Sequence, residues 1–250
     1  MPVREITKRI VSLSKSTRTQ QFRFNVDQAL RRAVTEGLSD EDRVHYWLYK
    51  TKVYKIKKHN EADFYSQLCK FTSKMKYDGE IKKDLKRTFP NHPEFVDAPK
   101  NLERLRRVLN VFCIQQPSRI GYFQGMNFIA ANMLISFKRN EEATFWGLIQ
   151  MYSRFNLEEL FDTATQKFKV LTYQIEVILF EQMPQLAEHI IDDMEVNLDV
   201  YTVRWFFSMF SIDLPFEYAQ TLLDFYMFDQ SEILIRTALA IFSLLSFKLS

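Results

Sequence analysis

Glycine, proline and cysteine are scarce in this chain, which has five, seven and two of them in 250 residues. Sandwiches and barrels need many tight turns, so this composition argues against both. Two cysteines cannot supply a disulfide framework for a chain of this length. Cys69 and Cys113 stand in apolar surroundings without CxxC spacing, and we therefore predict two buried, reduced thiols.

Long hydrophobic runs are missing as well. The longest apolar run, at 238–247, is interrupted by serines and is too short to cross a bilayer. The first fifteen residues contain no apolar core of signal-peptide length. The expectation is a cytoplasmic protein with no transmembrane segment and at most peripheral membrane contact.

Sequence motifs of self-sufficient catalysis are also absent. There is no GxxxxGK[ST] or GxGxxG motif to cradle phosphates, and no GxSxG or Cys–His arrangement for a nucleophile. The histidines are scattered without metal-ligand spacing, so no metal site is predicted. They are His45, His59, His92 and His189. The sequence does not resemble that of an enzyme that works alone.

Apolar residues are abundant, at 46% of the chain, and 15% of the residues are aromatic. This content is too high for a disordered chain and suffices for one large domain or two packed lobes. Apolar side chains recur at helical spacing, as at Leu102, Leu105, Val108, Leu109 and Phe112. We therefore predict an all-α fold, with Trp47, Trp146 and Trp205 in its core.

The ends of the first helices can be predicted from capping residues. Asn25 is expected to cap a helix, with Gln28 three positions later, and Gly37 to end it. Ser39 is expected to cap the next helix, whose first turn holds three acids. Residues 1–24 are predicted to be a basic arm or a leading helix.

Charge is distributed unevenly, although the net charge is only +3 and indicates no nucleic-acid partner. Residues 50–87 hold twelve basic and five acidic side chains, a net charge of +7. Residues 158–199 hold ten acidic and two basic ones, a net charge of −8. Either these are ordinary solvated faces, or the basic stretch faces an anionic partner or a membrane surface.

The basic stretch ends in Ile81-x-x-Asp84-x-x-Arg87, within a helix predicted over 80–88 and broken by Pro90. Arg87 lies three residues after Asp84, so the two side chains can pair on the helix surface. Taken alone, the motif is weak evidence for a site because such pairs are ordinarily solvated surface features.

A second motif, Tyr122-x-Gln124-Gly125, lies at the start of an apolar helix predicted over about 124–137. It places Gln124 between a tyrosine expected in an exposed loop and a glycine. Taken alone, this glutamine would be interpreted as a capping or turn residue.

Together the two motifs resemble those of the TBC family of Rab GTPase-activating proteins, IxxDxxR followed by YxQG. Further blocks of the family lie in order between residues 37 and 241, and one departure is the turn Asp229-Gln230-Ser231, which lacks the usual glycine. The matching blocks are Gly37-Leu38, Arg43, Trp47, Phe145-Trp146, Pro184, Leu186, His189, Trp205-Phe206, Phe210-Ser211, Leu214-Pro215 and Ala238-Leu239-Ala240-Ile241.

The resemblance implies a two-lobed, V-shaped, all-α TBC domain over residues 25–250. Its catalytic lobe would run to about 142 and its C-terminal lobe from about 143. Whether the last helices of that lobe are present is left open. The implied activity is acceleration of GTP hydrolysis by a GTP-bound Rab-type GTPase. GTP and Mg²⁺ would be carried by that partner, which could also recruit the protein to endomembranes.

The resemblance also assigns roles to residues. Arg87 would be the arginine finger and Gln124 the glutamine finger that orients the attacking water. Asp84 would hold Arg87 or a neighbouring backbone group, Arg43 and Tyr122 would buttress the site or touch the GTPase, and Gly125 would support Gln124. The chain itself would hold no cofactor or metal and hydrolyse nothing alone.

Two alternatives from other classes remain. One is a catalytically silent TBC scaffold that binds a GTPase or effector, although such proteins usually lack the finger residues that this chain keeps. The other is a helical adaptor that recognises a helix or a membrane through its basic stretch.

Overall fold

The computed structural model describes residues 20–53, 55–56, 63–71, 75–115, 121–162 and 166–249. These residues form fourteen α-helices and one π-helical turn, and no strand occurs among them. The all-α prediction is confirmed. Most of the arm predicted over residues 1–24 lies outside the described residues.

Seven helices precede residue 137. They are α1 (Gln20–Glu36), α2 (Asp40–Thr51), α3 (Phe64–Cys69), α4 (Asp78–Leu85), α5 (Pro93–Val96), α6 (Pro99–Gln115) and α7 (Met126–Ser136).

Seven more follow, with the π-helical turn at Glu188–Asp193 between α11 and α12. They are α8 (Glu141–Ser153), α9 (Glu158–Phe161), α10 (Lys167–Gln182), α11 (Pro184–Ala187), α12 (Leu198–Phe207), α13 (Phe216–Asp229) and α14 (Glu232–Leu249). None of the described helices is both long enough and apolar enough to cross a membrane.

The predicted caps between α1 and α2 are confirmed. Ser39 Oγ accepts a hydrogen bond from the Asp42 amide at 3.2 Å, and Gly37 ends α1 at a φ of +93°. The predicted start of α1 at Asn25 is wrong, because the helix already begins at Gln20. Buried apolar side chains repeat every four residues from Val26 to Val34 and pack α1 on α13. They all follow Asn25, so they account for the body of the helix and not for its earlier start.

The core confirms the predicted tryptophans: Trp47, Trp146 and Trp205 are all buried. Cys69 and Cys113 are free thiols, half-buried rather than fully buried. Burial raises the pKa of Cys113 to about 12. The lobe boundary expected near 142 falls in the first turn of α8, a helix that packs on α2, α6 and α7.

A buried polar cluster joins α2 to α13. Arg43 Nε donates to Asp224 Oδ2 at 2.9 Å, and Trp47 Nε1 donates to Asp224 Oδ1 at 2.5 Å. The hydroxyl of Tyr46 donates to the Asp224 carbonyl oxygen at 2.8 Å. Arg43 therefore connects α2 to α13 through a partner that lies 181 positions away in the sequence.

The helix that carries the first motif is shorter than predicted. α4 ends at Leu85 instead of Thr88, so Arg87 lies in the turn that follows. Pro90 disfavours helical backbone in the residue before it, and Phe89 has a positive φ of 43°. The buried Phe89 ring packs edge-on against Phe128 and Phe216, which fixes the turn on α7 and α13.

Candidate functional site

A cleft of about 450 Å³ opens where three parts of the chain meet. One is the turn after α4, the second is the segment 123–128, and the third is the end of α12 with the loop behind it. Both predicted fingers, Arg87 and Gln124, contribute to its wall. The lining residues are Arg87, Phe123, Gln124, Gly125, Phe128, Val203, Arg204, Phe207, Ser208 and Ile212.

Arg87 is held by Asp84, as the first motif predicted. Its Nε and Nη2 atoms donate to Asp84 Oδ1 at 3.1 and 2.7 Å. The carboxylate is largely buried, whereas 47% of the Arg87 side chain is exposed. The guanidinium is therefore fixed on one edge and open to the cleft elsewhere.

Tyr122 lies behind this pair and not in an exposed loop as predicted. Its side chain is buried, and its hydroxyl donates to Asp84 Oδ2 at 2.8 Å. Burial first, and the Asp84 charge second, raise the pKa of Tyr122 far above its usual range, so the hydroxyl remains a donor. Tyr122, Asp84 and Arg87 thus form one hydrogen-bonded chain that ends at the cleft.

Gln124 is exposed in the turn before α7, which starts at Met126 and not at Gln124 as predicted. Gly125 follows at a φ of +113°, and an added Cβ would lie 2.3 Å from the carbonyl oxygen of Phe207 at the end of α12. Such a contact is impossible, so only glycine permits this turn to approach α12 so closely. Gly125 therefore positions Gln124 by allowing the turn to rest on α12.

The buried side-chain amide of Asn127, which no sequence motif marks, links the turn that carries Arg87 to the turn that carries Gln124 (the two finger turns). Asn127 Nδ2 donates to Thr88 Oγ1 at 2.8 Å, while Asn127 Oδ1 accepts from the Gly125 amide at 3.1 Å. The Thr88 hydroxyl in turn donates to the Asp84 carbonyl oxygen at 2.8 Å. The one available signal was the presence of asparagines in a mainly apolar helix, since buried polar groups need partners. That signal does not distinguish Asn127 from Asn132.

Arg204, on α12, is a second arginine in the cleft wall that the sequence analysis missed. Its Nε donates to Asp213 Oδ2 at 2.9 Å, and its Nη2 lies 2.8 Å from Asp213 Oδ1. Phe207 packs against Phe123 and Phe161 beside it. No sequence motif marks these residues, because only the folded chain brings α12 to the two finger turns.

Arg43 is separate from this group. It is buried between α2 and α13 and does not line the cleft. Within the described parts of the chain, no cluster of three or more His, Cys, Asp or Glu side chains could hold a metal ion.

Comparison with known families tests the resemblance to TBC domains that the two motifs indicated. The model of the Rab-GTPase-TBC domain matches residues 28–250, which is most of the chain. The chain belongs to this family. TBC domains with solved structures include one described as the Chlamydomonas flagellar RabGAP TBC domain, with a TM-score of 0.76 and 26% identity. The match covers 88% of this chain and 73% of that one.

Curated relatives of this TBC domain are longer proteins. GTPase-activating protein GYP5 of Saccharomyces cerevisiae is 28% identical over 214 residues, covering 86% of this chain and 22% of the relative. TBC1 domain family member 2A of Rattus norvegicus is 31% identical over 164 residues, covering 65% of this chain and 17% of the relative. The chain thus spans about a fifth of the length of these relatives.

Proposed function

We propose that this TBC domain accelerates GTP hydrolysis by a Rab-type GTPase, to which it supplies Arg87 and Gln124 in trans. One observation carries the proposal: the two side chains line the same cleft, although 37 positions separate them in the sequence. The names of the relatives, a GTPase-activating protein and a RabGAP TBC domain, support the same reaction class.

Arg87 has the chemistry of an arginine finger. During phosphoryl transfer, charge develops on the phosphate oxygens and on the leaving group, and a guanidinium can stabilise it as a permanent cation with several donors. Asp84 engages two of the five N–H donors of Arg87, which leaves three for phosphate oxygens. Such a finger contributes roughly 10³–10⁵ in rate, or about 4–7 kcal/mol of barrier.

Gln124 suits the second role. A primary amide both donates and accepts hydrogen bonds, so it can orient a water molecule against the γ-phosphate. The Gln124 side chain is exposed at the cleft, and no described residue hydrogen-bonds its amide. It is therefore available to a bound GTPase without first breaking an internal bond.

In this mechanism the domain completes another protein's active site. GTP and Mg²⁺ arrive with the GTPase, and the TBC domain hydrolyses nothing alone. Binding to a membrane-associated Rab would bring the cytoplasmic domain to an endomembrane.

Single-turnover GTP hydrolysis by a panel of GTP-loaded Rab proteins tests the proposal. We expect one or a few Rabs to respond, and Arg87→Ala to lower kcat by about 10³-fold or more while binding persists. Gln124→Ala should lower kcat in the same way. Arg236→Ala is the matched control, because Arg236 is also half-exposed and paired with an acid one helical turn away.

Two results would contradict the proposal. If Arg87→Ala keeps full activity, Arg87 is not the finger. If GTP-loaded Rabs bind but none is accelerated, the domain belongs to the catalytically silent scaffolds instead.

A further inference from the structure

Helix α12 is apolar on two opposite faces. Leu198, Thr202, Trp205 and Phe206 are buried and form its inner face. The opposite side carries Val200 and Val203, with 66% and 38% of their surfaces exposed. A surface helix normally directs polar residues outward, whereas these two valines are neighbours at i and i+3 and form a small exposed apolar patch.

The outer face of α12 (Val200, Val203 and Arg204) runs directly into the cleft. Positions 200, 203, 204 and 207 share one side of a helix. Val203, Arg204 and Phe207 line the cleft together with Arg87 and Gln124. Any protein that inserts a nucleotide between Arg87 and Gln124 would therefore also meet this face.

Arg204 gives the outer face a directed positive charge. Asp213 pairs with its guanidinium through Nε and Nη2, and 54% of the Arg204 side chain remains exposed. Three of its five N–H donors remain for a second carboxylate. Arginine is well suited to this task because its planar guanidinium can bind carboxylate oxygens in pairs.

From these observations we infer that the outer face of α12 is a docking surface for the GTPase whose nucleotide enters the cleft. The surface fits an apolar patch with an adjacent carboxylate on the partner. In the complex the valines would be buried against the GTPase, and Arg204 would orient the GTPase by pairing with its carboxylate. This inference rests on the proposed function and extends it from the reacting groups to partner recognition.

Val203→Asp tests the apolar part of the surface, with Val177→Asp as the matched control. Val177 lies on α10, away from the cleft lining, and is 37% exposed against 38% for Val203. The probe is the most responsive Rab of the panel, or the tightest-binding one if none responds, loaded with a non-hydrolysable GTP analogue. We expect Val203→Asp to weaken binding about tenfold or more, and Val177→Asp to leave it unchanged.

Arg204→Ala and Asp213→Asn separate binding from a structural role of the pair. If Arg204 binds the GTPase, Arg204→Ala raises KM about tenfold at nearly constant kcat. Asp213→Asn then leaves KM unchanged or lowers it, since it frees the guanidinium. If the pair only supports the cleft wall, both substitutions raise KM alike, and the assignment of Arg204 is overturned.

The outcomes also separate this inference from the proposed function. If Arg87→Ala abolishes acceleration while Val203→Asp and Arg204→Ala keep wild-type binding, only the docking surface is wrong. Should Val203→Asp weaken binding while Arg87→Ala stays fully active, only the finger mechanism is wrong. If Val177→Asp weakens binding as much as Val203→Asp, or no Rab binds at all, the docking surface is overturned.

Discussion

The hydroxyl of Tyr122 orders the arginine indirectly, because it donates to one oxygen of Asp84 while Arg87 donates to the other. Tyr122→Phe removes this bond and keeps the ring. We expect kcat to fall about three- to tenfold, equivalent to about 1 kcal/mol at the transition state, with KM unchanged. The free energy of unfolding should fall by about 1–3 kcal/mol, measured in urea.

Tyr152→Phe is the control for this prediction. Tyr152 is also buried, but its hydroxyl has no hydrogen-bond partner in the described structure. Its removal should leave kcat unchanged and stability equal or higher, because no bond is lost. Equal losses of kcat in the two variants would show that Tyr122 does not act through Asp84.

Asn127 is the residue on which both finger turns depend. Asn127→Ala breaks its bonds to Thr88 and to the Gly125 amide, so both turns lose a fixed anchor. We expect kcat in single-turnover hydrolysis to fall about tenfold or more, since misplaced reacting groups are costly. The variant is compared at a temperature where circular dichroism shows that it remains folded.

Asn132→Ala controls for loss of a buried amide. Asn132 lies on the same helix and is equally buried, yet its side-chain atoms make no hydrogen bond in the described structure. It should keep near wild-type kcat. A loss of kcat as large as that of Asn127→Ala would assign the effect to packing of α7 and not to the link between the turns.

At the scale of single elements, local chemistry determined some ends and tertiary packing determined others. Ser39 and Gly37 act through their own backbone neighbours, so the sequence predicts them correctly. The end of α4 was misplaced by three residues because buried contacts with other helices decide it. Phe89, for example, packs on α7 and α13, and no local rule specifies those neighbours.

The candidate site shows the same division. Two short motifs marked Arg87 and Gln124 in the sequence, and the structure places both in one cleft. The sequence could not identify Arg204 or the link through Asn127, because each acquires its position from a contact between segments far apart in the chain. Nor could it show that Gly125 is constrained by the carbonyl of Phe207, 82 positions away.

The packing of α2 against α13 depends on the buried ion pair between Arg43 and Asp224. Arg43→Ala leaves a buried carboxylate without its cation, so we expect a loss of about 3–5 kcal/mol in unfolding free energy. The folded variant should keep its kcat, since Arg43 lies outside the cleft. Arg32→Ala is the control, because Arg32 forms an exposed pair with Glu36 and should cost little.

The pH dependence gives a second test of this pair. Burial raises the pKa of Asp224 to about 6, although Arg43 opposes the shift. The folded state therefore binds a proton more readily than the unfolded chain, so stability falls as pH rises from about 4 to 6. Without Arg43 the pKa of Asp224 rises further. The unfolding free energy of Arg43→Ala should therefore continue to fall above pH 6, where that of the wild-type protein has levelled off. Parallel urea midpoints for both proteins from pH 5 to 8 would contradict this account.

At the scale of the whole molecule, the structure indicates which lysines of the basic stretch (residues 50–87) could face an anionic partner. Lys82 pairs with Asp78 at 2.9 Å, and Lys50 packs over the ring of Phe228. Lys83 and Lys86 are exposed at the end of α4, next to Arg87. Because they adjoin Arg87, Lys83 and Lys86 are well placed to attract an anionic GTPase–nucleotide surface toward the cleft.

The dependence of kcat/KM on ionic strength measures that attraction. Salt screens exposed charges, with a Debye length of about 10 Å at 0.1 M and about 3 Å at 1 M, so kcat/KM should fall as salt is added while kcat changes little. Lys86→Glu should lower kcat/KM at low salt and flatten its salt dependence. Lys55→Glu makes the same charge change at another exposed lysine of the basic stretch. If Lys55→Glu lowers kcat/KM as much as Lys86→Glu does, the net charge of the domain is responsible and not the field around Arg87. If kcat/KM of the wild-type protein does not change with salt, electrostatic steering is excluded.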